Sequence, residues 1–305
     1  MADHSDDEVA RISDQDKKIQ VLEFRVEHLK RTLARAVRYL DDRDAIEITF
    51  LSLQGYIPDL QNPKTFSEKV QYRKLYEPNP RFATLSDKIA VKPEIAALLG
   101  PSWVTPSLWE GHVLTAEALS AIEGPVVVKA SHGSGLNLFF APGSPGLDEV
   151  VAKANVWSRP RPRTGDRNWV TGHVERRLLI EPDFSQDGVV PSDIKLFTFG
   201  GQVKAIQVDS MRFSDHRRDF YTPAWEPMAF MLEKKRSGRL APRPRHLDQM
   251  IAAAETIGRE FSFVRADFYD LPDHPRFGEL TFYPGSGYGR FAPRDMDRQF
   301  GQWWP

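Results

Sequence analysis

Two carboxylates and an arginine near the C-terminus carry the clearest chemical signal in the sequence. Segments 263–269 and 277–283 alternate apolar and polar residues, which predicts two neighbouring strands joined by a turn. Arg265 and Asp267 share one face of the first strand, and Glu279 lies on the second. Such a set suits a hard divalent cation that also holds phosphate oxygens. The alternative is a hairpin with a structural salt bridge between Arg265 and either acid.

A lysine followed by a loop of glycine and serine supplies a second element with phosphate chemistry. Lys129 ends the apolar run 126–129, which predicts a buried strand, and the loop 131–135 follows at once. Glycine lets backbone N–H groups approach phosphate oxygens with no side chain in the way. The Gly-Lys-Ser/Thr ending of a Walker motif is missing from the sequence, so this loop alone is weak evidence.

Charged residues also lie on two other predicted strands. Glu181 ends the apolar run 178–181, and Asp193 and Lys195 alternate with apolar residues on the next strand. Each could form a surface ion pair. Together with Lys129 they supply cations for phosphate, acids for a metal, and apolar strands that could enclose a base.

The elements that must position these residues alternate between strand and helix from Val104 onward, which is typical of α/β or α+β domains. Segments 194–199 and 202–208 predict a hairpin, and the apolar face of 247–257 predicts a helix. Upstream, Thr65 to Glu68 is typical of a capping box that opens a helix, and 86–99 predicts another helix.

Residues 1–50 carry a heptad pattern. Apolar residues recur at the two core positions of the heptad: Ile12, Ile19, Val26, Leu33 and Leu40 at the first, and Leu22, Leu29 and Ala36 at the second. Mostly β-branched residues at the first position with leucine at the second favour a parallel two-stranded coiled coil, hence a homodimer. Pro and Gly are missing from residues 2–54, which predicts an unbroken helix. The alternative is an amphipathic helix folded back onto the body of the protein.

The composition argues against several classes of function. With 41 basic and 42 acidic side chains among 305 residues, no global field favours nucleic acid or an acidic membrane surface. The count of zero cysteines excludes disulfides, thiolate metal sites and cysteine nucleophiles. The N-terminus is acidic and unlike a signal peptide, and no apolar run approaches the length of a membrane span. We therefore expect a cytoplasmic protein without stable membrane insertion.

Taken in order, the motifs resemble those of the ATP-grasp ligases, such as the D-alanine–D-alanine ligases. They are more closely similar to the TupA-like ATP-grasp family, named for teichuronopeptide biosynthesis. The resemblance runs from about Leu51 to the C-terminus and rests on six segments: 62–69, 87–88, 129–135, 193–195, 218–221 and 278–287. It implies an α+β ATP-grasp fold over residues 51–305, in which two α+β subdomains enclose ATP. The region before Lys88 is short for the usual preceding domain.

The resemblance also implies ATP and Mg²⁺ as cofactors. Lys88 and Lys129 would hold the triphosphate, and a flexible loop would close over it: Ser131, His132, Gly133, Ser134 and Gly135. Glu181 would contact adenine or ribose. Asp193 would lie near the ribose and Lys195 near phosphate.

For the reacting groups, the resemblance implies that Asp267 and Glu279 bind magnesium and that Arg265 stabilises the transferring phosphoryl group. Thr281 stands where many ATP-grasp enzymes have asparagine, and its hydroxyl could ligate the metal or orient a water.

Two residue types upstream could contact the substrates. His132 could orient phosphate or lie in the acceptor path, although a loop histidine is more often incidental. Arg212, Arg217 and Arg218 follow a predicted strand and could clamp a substrate carboxylate.

The leading hypothesis is therefore an ATP-dependent carboxylate–amine ligase that forms an acyl phosphate and passes it to an amine. The acid could be a uronic acid or a peptide carboxylate in a surface polysaccharide or capsule. A glycosyltransferase of polysaccharide assembly, a small-molecule kinase with the same fold, and a nucleotide-binding scaffold without turnover are the alternatives.

Overall fold

The computed structural model describes residues 3–160, 167–185, 190–191, 193–211 and 215–305, with side chains from Gln15 onward. The described chain divides into two compact units. The first runs to Ile57 and includes Arg167, and the second holds the rest from Pro58. The division falls after the boundary predicted at residue 50, because a helix of the first unit continues past that position.

The first unit is built from two helices, α1 (Asp3–Ala36) and α2 (Asp42–Gln54), with a short 3₁₀ turn (Val37–Tyr39) between them. The prediction of one unbroken helix to Gln54 is therefore wrong. Asp41 starts a new helix because its carboxylate accepts the N–H of Asp44 and so caps α2. Leu40, the last heptad position, lies between the helices.

Several heptad residues of α1 project into solvent. The exposed fractions are 52% for Ile19, 57% for Leu22, 49% for Val26 and 65% for Leu29. A row of large apolar side chains exposed along one helix is typical of a surface that another chain covers. The coiled coil and the homodimer stay predictions.

The second unit contains eight helices in the part of the chain that the structure describes. They are α3 (Phe66–Tyr76), α4 (Pro80–Ser86), α5 (Val91–Leu99), α6 (Ala116–Ser120), α7 (Leu147–Trp157), α8 (Trp169–His173), α9 (Leu247–Gly258) and α10 (Asp295–Trp303). The capping box is confirmed, since Thr65 and Glu68 each accept the other's backbone N–H at the start of α3. The helix predicted from residue 86 begins later, because the Asp87 carboxylate binds the N–H groups of Ile89 and Ala90 in a turn.

A four-stranded antiparallel sheet forms the smaller layer. Its strands, in spatial order, are β1 (Trp109–Gly111), β4 (Leu178–Pro182), β2 (Val126–Ala130) and β3 (Asn137–Phe140). α6 and α7 pack on each other, and α7 also contacts β2, β3 and β4. The strands predicted at 126–129 and 178–181 are confirmed as β2 and β4.

A six-stranded antiparallel sheet forms the larger layer. Its strands, in spatial order, are β11 (Arg276–Thr281), β10 (Phe263–Tyr269), β5 (Asp193–Phe199), β6 (Gln202–Ser210), β7 (Arg217–Tyr221) and β8 (Pro227–Met228). β9 (Met231–Leu232) and β12 (Phe291–Ala292) pair separately. Both predicted hairpins are confirmed, and α9 packs against β5, β6 and β10.

One face of the larger sheet changes character along its strands. On β5, Phe197 and Phe199 share a face with Lys195 because side chains alternate. The two phenylalanines join a buried aromatic cluster in which Phe66 of α3 and Phe300 of α10 contact them. The aromatic half of this face packs into the core, and the charged side chains lie on the other half.

Among the described helices, none combines the length and apolarity that a membrane crossing requires.

Candidate active site

A row of cross-strand partners on the larger sheet carries the charged residues. Glu279 on β11 lies opposite Asp267 on β10, and Asp267 lies opposite Lys195 on β5. The Nζ atom of Lys195 donates to Oδ2 of Asp267 at 2.8 Å and also contacts the carboxylate of Asp193. The antiparallel register thus brings two predicted metal ligands and a predicted phosphate ligand side by side.

The guanidinium of Arg265 marks the point where oxygen atoms of this row converge. Its Nη2 atom lies 2.7 Å from Oδ2 of Asp267, 3.3 Å from Oε1 of Glu279 and 3.0 Å from Oγ1 of Thr281. Nε of Arg265 also donates to the other oxygen of Asp267 at 2.7 Å. One nitrogen of Arg265 therefore contacts oxygen atoms of two carboxylates and one hydroxyl. These three groups form a set of hard oxygen donors.

This donor set fits magnesium. The described residues include no group of three or more His, Cys, Asp or Glu side chains that could hold a metal ion. Magnesium is usually held by one or two carboxylates together with substrate phosphates, so Asp267 and Glu279 with the hydroxyl of Thr281 suffice.

The two carboxylates differ in their electrostatics. Burial opposes ionisation of Glu279, but Lys88, Arg265 and Lys195 outweigh it and lower the pKa of this carboxyl to about 2. Burial raises the pKa of Asp267, which is 1% exposed, against the opposing effect of Arg265 and Lys195. Glu279 is therefore ionised at neutral pH, and a bound cation would further favour the ionised form of Asp267.

The smaller sheet contributes an acid held between two lysines. Nζ of Lys129 on β2 donates to Oε2 of Glu181 at 2.6 Å, and Nζ of Lys92 on α5 lies 2.7 Å from Oε1. The ammonium of Lys129 also lies 5.6 Å from the ring centroid of Tyr269 on β10 of the larger sheet. The paired charges of the two sheets therefore face one region.

The pKa values of this group follow from its burial and pairing. Burial lowers the pKa of Lys129, but Tyr269 and Glu181 outweigh it, so the pKa lies above its usual range. Likewise, burial raises the pKa of Glu181, while Lys129 and Lys92 bring it below its ordinary value. Lys129 and Glu181 are therefore both charged at neutral pH.

The glycine-rich loop between β2 and β3 has a fixed base and an exposed tip. Ser131 is buried, and its hydroxyl donates to the carbonyl of Glu175 while its N–H donates to the carbonyl of Arg177. Gly133 and Gly135 are exposed and adopt φ values of +75° and +73°, which residues other than glycine rarely adopt. With Ser134, these two form the part of the loop that is accessible to a phosphate.

Lys88 connects the loop to Glu279, one of the two predicted metal ligands. Its Nζ atom donates to the carbonyl of Gly133 at 2.7 Å and lies 3.2 Å from Oε2 of Glu279. Its N–H donates to the carbonyl of Ser131. A single lysine therefore links the loop of the smaller sheet to the charged row of the larger one.

Two residues with predicted phosphate or substrate contacts also have partners of their own in the structure, and their predicted roles stay predictions. Nε2 of His132 is 3.0 Å from Nη1 of Arg176, and His132 is buried. Arg218 pairs with Asp209 at 2.7 Å and with Glu233 at 3.1 Å, on the far side of β5 from the Asp267 row. A role for Arg218 as a carboxylate clamp stays a prediction, and Arg212 lies outside the described residues.

Among the described residues near the site, Lys92 and Gln207 were missed by the sequence reasoning, and Asp209 follows Gln207 on β6 towards Arg218. Lys92 stands four residues after Lys88, a spacing that brings side chains to the same side of a helix. Gln207 and Asp209 alternate with apolar residues on β6, and Gln207 pairs with Lys195 across the sheet. Helical spacing could have indicated Lys92, and strand alternation could have indicated Gln207 and Asp209.

A family model described as TupA-like ATPgrasp matches residues 68–304. Among curated proteins, the sequence has no significant match.

The solved structures that are similar to this chain include ligases at low sequence identity. The D-alanine–D-alanine ligase of Bacillus anthracis is 14% identical, with 66% of this chain and 58% of that chain covered and a TM-score of 0.40. The ATP-grasp ligase PsnB, complexed with minimal precursor, Mg and ADP, is 16% identical, with 68% and 55% covered and a TM-score of 0.37. The Helicobacter pylori D-alanine–D-alanine ligase is 16% identical, with 78% and 69% covered and a TM-score of 0.43. The chain spans less than two thirds of the length of the first two.

Proposed function

Because the chain belongs to the TupA-like ATP-grasp family, we propose that it is a ligase that joins a carboxylate to an amine and converts ATP to ADP and phosphate. The observation that carries this proposal is the convergence of Asp267, Glu279 and Thr281 on one nitrogen of Arg265. Oxygen donors beside a fixed guanidinium suit a metal-bound phosphate that is being transferred.

In the proposed first step, the substrate carboxylate attacks the γ-phosphorus of ATP. Lys88, Lys129 and Lys195 bind phosphate oxygens, and Arg265 stabilises the charge on the transferring group. Magnesium held by Asp267, Glu279 and the hydroxyl of Thr281 would neutralise charge on those oxygens. No side-chain nucleophile is needed, because positioning and electrostatics supply the catalysis.

Binding of the triphosphate exchanges partners within the site. The ammonium of Lys88 is paired with Glu279 at 3.2 Å, and that of Lys129 with Glu181 at 2.6 Å. Phosphate oxygens compete for these ammonium groups, which would loosen the Lys88 contact with the carbonyl of Gly133. The glycine-rich tip is then able to fold over the phosphates and exclude water from the acyl phosphate.

We propose further that the amine is an amino acid or a related compound, and that the acid is a uronic acid or peptide carboxylate of a surface polysaccharide. The reaction would take place in the cytoplasm, where ATP is available. The exposed apolar row of α1 supports a homodimer formed by a parallel coiled coil of two copies of this helix.

The test of the ligase proposal is an assay with Mg-ATP and a panel of carboxylates that includes glucuronate, each with and without free amino acids. ADP and inorganic phosphate are measured. Release of ADP that requires both a carboxylate and an amine supports a ligase. A stable phosphorylated product without amine would instead identify a kinase, and consumption of a sugar nucleotide without ATP turnover would identify a glycosyltransferase.

A further inference from the structure

The base of the glycine-rich loop is joined to the turn that carries Lys88. The N–H of Lys88 donates to the carbonyl of Ser131 at 2.9 Å, and the N–H of Ser131 donates to the carbonyl of Arg177 at 2.8 Å. Arg177 stands directly before β4, so three separate segments of the chain meet at Ser131. These bonds use backbone atoms, and they leave the side chains of Lys88 and Arg177 to make further contacts.

An ion pair closes these contacts into a ring. Nη2 of Arg177 lies 3.2 Å from Oδ2 of Asp87, the residue that precedes Lys88. The other carboxylate oxygen of Asp87 accepts the N–H groups of Ile89 and Ala90. One carboxylate therefore shapes the turn around Lys88 and binds the guanidinium at the same time. The members of this closed set of contacts, called here the loop-base ring, are Asp87, Lys88, Ser131 and Arg177.

Most of the loop-base ring is shielded from water. Ser131 is buried, the Asp87 side chain is 5% exposed and the Arg177 side chain is 23% exposed. A second acid, Glu175, lies 3.1 Å from Nε of Arg177, but the Glu175 side chain is 57% exposed. Removing the partner of a buried carboxylate costs more than removing the partner of an exposed one, because water does not replace the lost contact. The pair with Asp87 is therefore the contact through which Arg177 holds the turn.

Lys88 contacts the glycine-rich loop at two points. Its backbone N–H is held at the buried base of the loop, and its Nζ atom donates to the carbonyl of Gly133 at the exposed tip. A triphosphate would compete for the ammonium group and release the tip, but it would leave the backbone contact at Ser131 in place. The loop-base ring thus keeps the backbone of Lys88 beside the loop while the side chain exchanges partners.

We propose that Arg177 is a positioning residue for ATP, a proposal that rests on the ATP-dependent function proposed above. The guanidinium of Arg177 holds Asp87, and Asp87 together with Ser131 fixes the backbone of Lys88. The ammonium group of Lys88 and the tip of the loop then reach the same phosphate oxygens. Arg177 acts through Lys88 and does not itself contact the nucleotide.

The test measures the binding of adenylyl imidodiphosphate, an ATP analogue that is not hydrolysed, with Mg²⁺ by isothermal titration calorimetry. Arg177→Met removes the charge and keeps the length of the side chain, whereas Arg177→Lys keeps the charge. Asp87→Asn removes the charge of the acid. The matched control is Arg81→Met, because Arg81 is also shared by two acids, Glu94 and Glu260, and lies outside the loop-base ring.

We expect Arg177→Met and Asp87→Asn each to raise the Kd of the analogue by about 10-fold or more, because Lys88 is no longer held in position. Arg177→Lys should recover part of this loss, and Arg81→Met should match the wild type. Without nucleotide, the backbone amide of Lys88 should exchange its hydrogen faster in Arg177→Met than in the wild type, since its bond to Ser131 is less well fixed.

A double-mutant cycle separates positioning from a general loss of stability. In a Lys88→Met background, the ammonium group that Arg177 positions is gone. Adding Arg177→Met to this background should therefore raise the Kd by no more than about 2-fold. The same fold-change in both backgrounds would overturn the assignment, and so would wild-type affinity in Arg177→Met.

If Arg177→Met does not fold, the same cycle with Asp87→Asn decides. The binding measurement needs no turnover, so the proposed function fails separately. A wild-type protein that binds the analogue but releases no ADP with any carboxylate and amine would contradict the ligase function, while the cycle still decides the role of Arg177. A wild-type protein that does not bind the analogue would contradict both proposals.

Discussion

The Nζ atom of Lys88 lies 3.2 Å from Oε2 of Glu279, so a lysine that precedes α5 neutralises an acid on the last strand of the larger sheet. The same ammonium donates to the carbonyl of Gly133 in the glycine-rich loop. A triphosphate that attracts Lys88 would therefore weaken its contacts with both the glycine-rich loop and the carboxylate of Glu279.

Removing either carboxylate of the Asp267–Glu279 pair should abolish turnover without unfolding the protein. Asp267→Asn and Glu279→Gln keep the volume of the side chain but lose a negative oxygen donor for the cation. We expect ADP release to fall by about 100-fold or more in each variant. Asp273→Asn, in the turn of the same hairpin, is the matched control and should retain wild-type activity. Near-normal rates in both site variants would rule out their assignment as metal ligands.

Lys92→Met should destabilise the smaller sheet region, because it removes one of the two cations that hold buried Glu181. Since Lys129 still pairs with Glu181, we expect a loss of about 1–3 kcal/mol in the free energy of unfolding. Lys153→Met removes a lysine from an exposed pair with Glu149 and should change the free energy of unfolding much less than Lys92→Met. Urea unfolding of the three proteins measures the difference. Equal effects of the two substitutions would argue against a buried role for Lys92.

Acid should lower the free energy of unfolding, because the carboxylate of Asp209 becomes protonated. Burial raises its pKa, but Arg218 outweighs burial and lowers the pKa from 3.8 to about 2. A carboxyl with a depressed folded pKa contributes stability above pH 4, and this contribution is lost as the pH falls towards 2. It amounts to about 2 kcal/mol.

Urea unfolding at about pH 5 and about pH 3 measures this dependence. Asp209→Asn should flatten the fall in unfolding free energy between the two conditions, whereas Asp248→Asn, at an exposed carboxylate, should leave it unchanged. An identical pH dependence in wild type and Asp209→Asn would contradict the assignment.

Association through α1 should depend on the apolar row of the heptad. Leu29 is 65% exposed at a second core position, and Leu29→Asp would place a charge in the seam of a coiled coil. We expect this variant to shift the protein from dimer to monomer in sedimentation equilibrium. Gln20→Asp, outside the seam, is the control. A wild-type protein that is monomeric at micromolar concentration would refute the dimer.

The hairpin of the site could be predicted because its signal is local. Alternation predicts that Arg265 and Asp267 share a face and that two carboxylates lie on neighbouring strands. The turn alone does not predict which residues pair. Phe268 pairs with Phe277, and a bulge that skips Gly278 then places Asp267 opposite Glu279. The capping box at Thr65 is equally local. Asp41 and Asp87 show the limit of such reasoning, since each uses its carboxylate to start a new turn where helical periodicity alone predicts continuity.

The rest of the site depends on tertiary contacts. Lys92 meets Glu181 because a helix of one segment packs beside a strand that lies about ninety residues later in the chain. Lys88 meets Glu279 because the turn before α5 lies beside a strand about 190 residues later in the chain. Neither pair has a spacing motif, so the sequence shows the residue types but not their partners.

The most direct measurement of the central claim uses a carboxylate substrate labelled with oxygen-18 on both carboxyl oxygens. If the carboxylate attacks the γ-phosphorus and an amine then displaces phosphate, one labelled oxygen must pass to each inorganic phosphate released. Mass spectrometry of the phosphate should therefore show a single label, with the other retained in the amide. Unlabelled phosphate from a reaction that forms the amide would contradict the acyl phosphate route and the role given to this site.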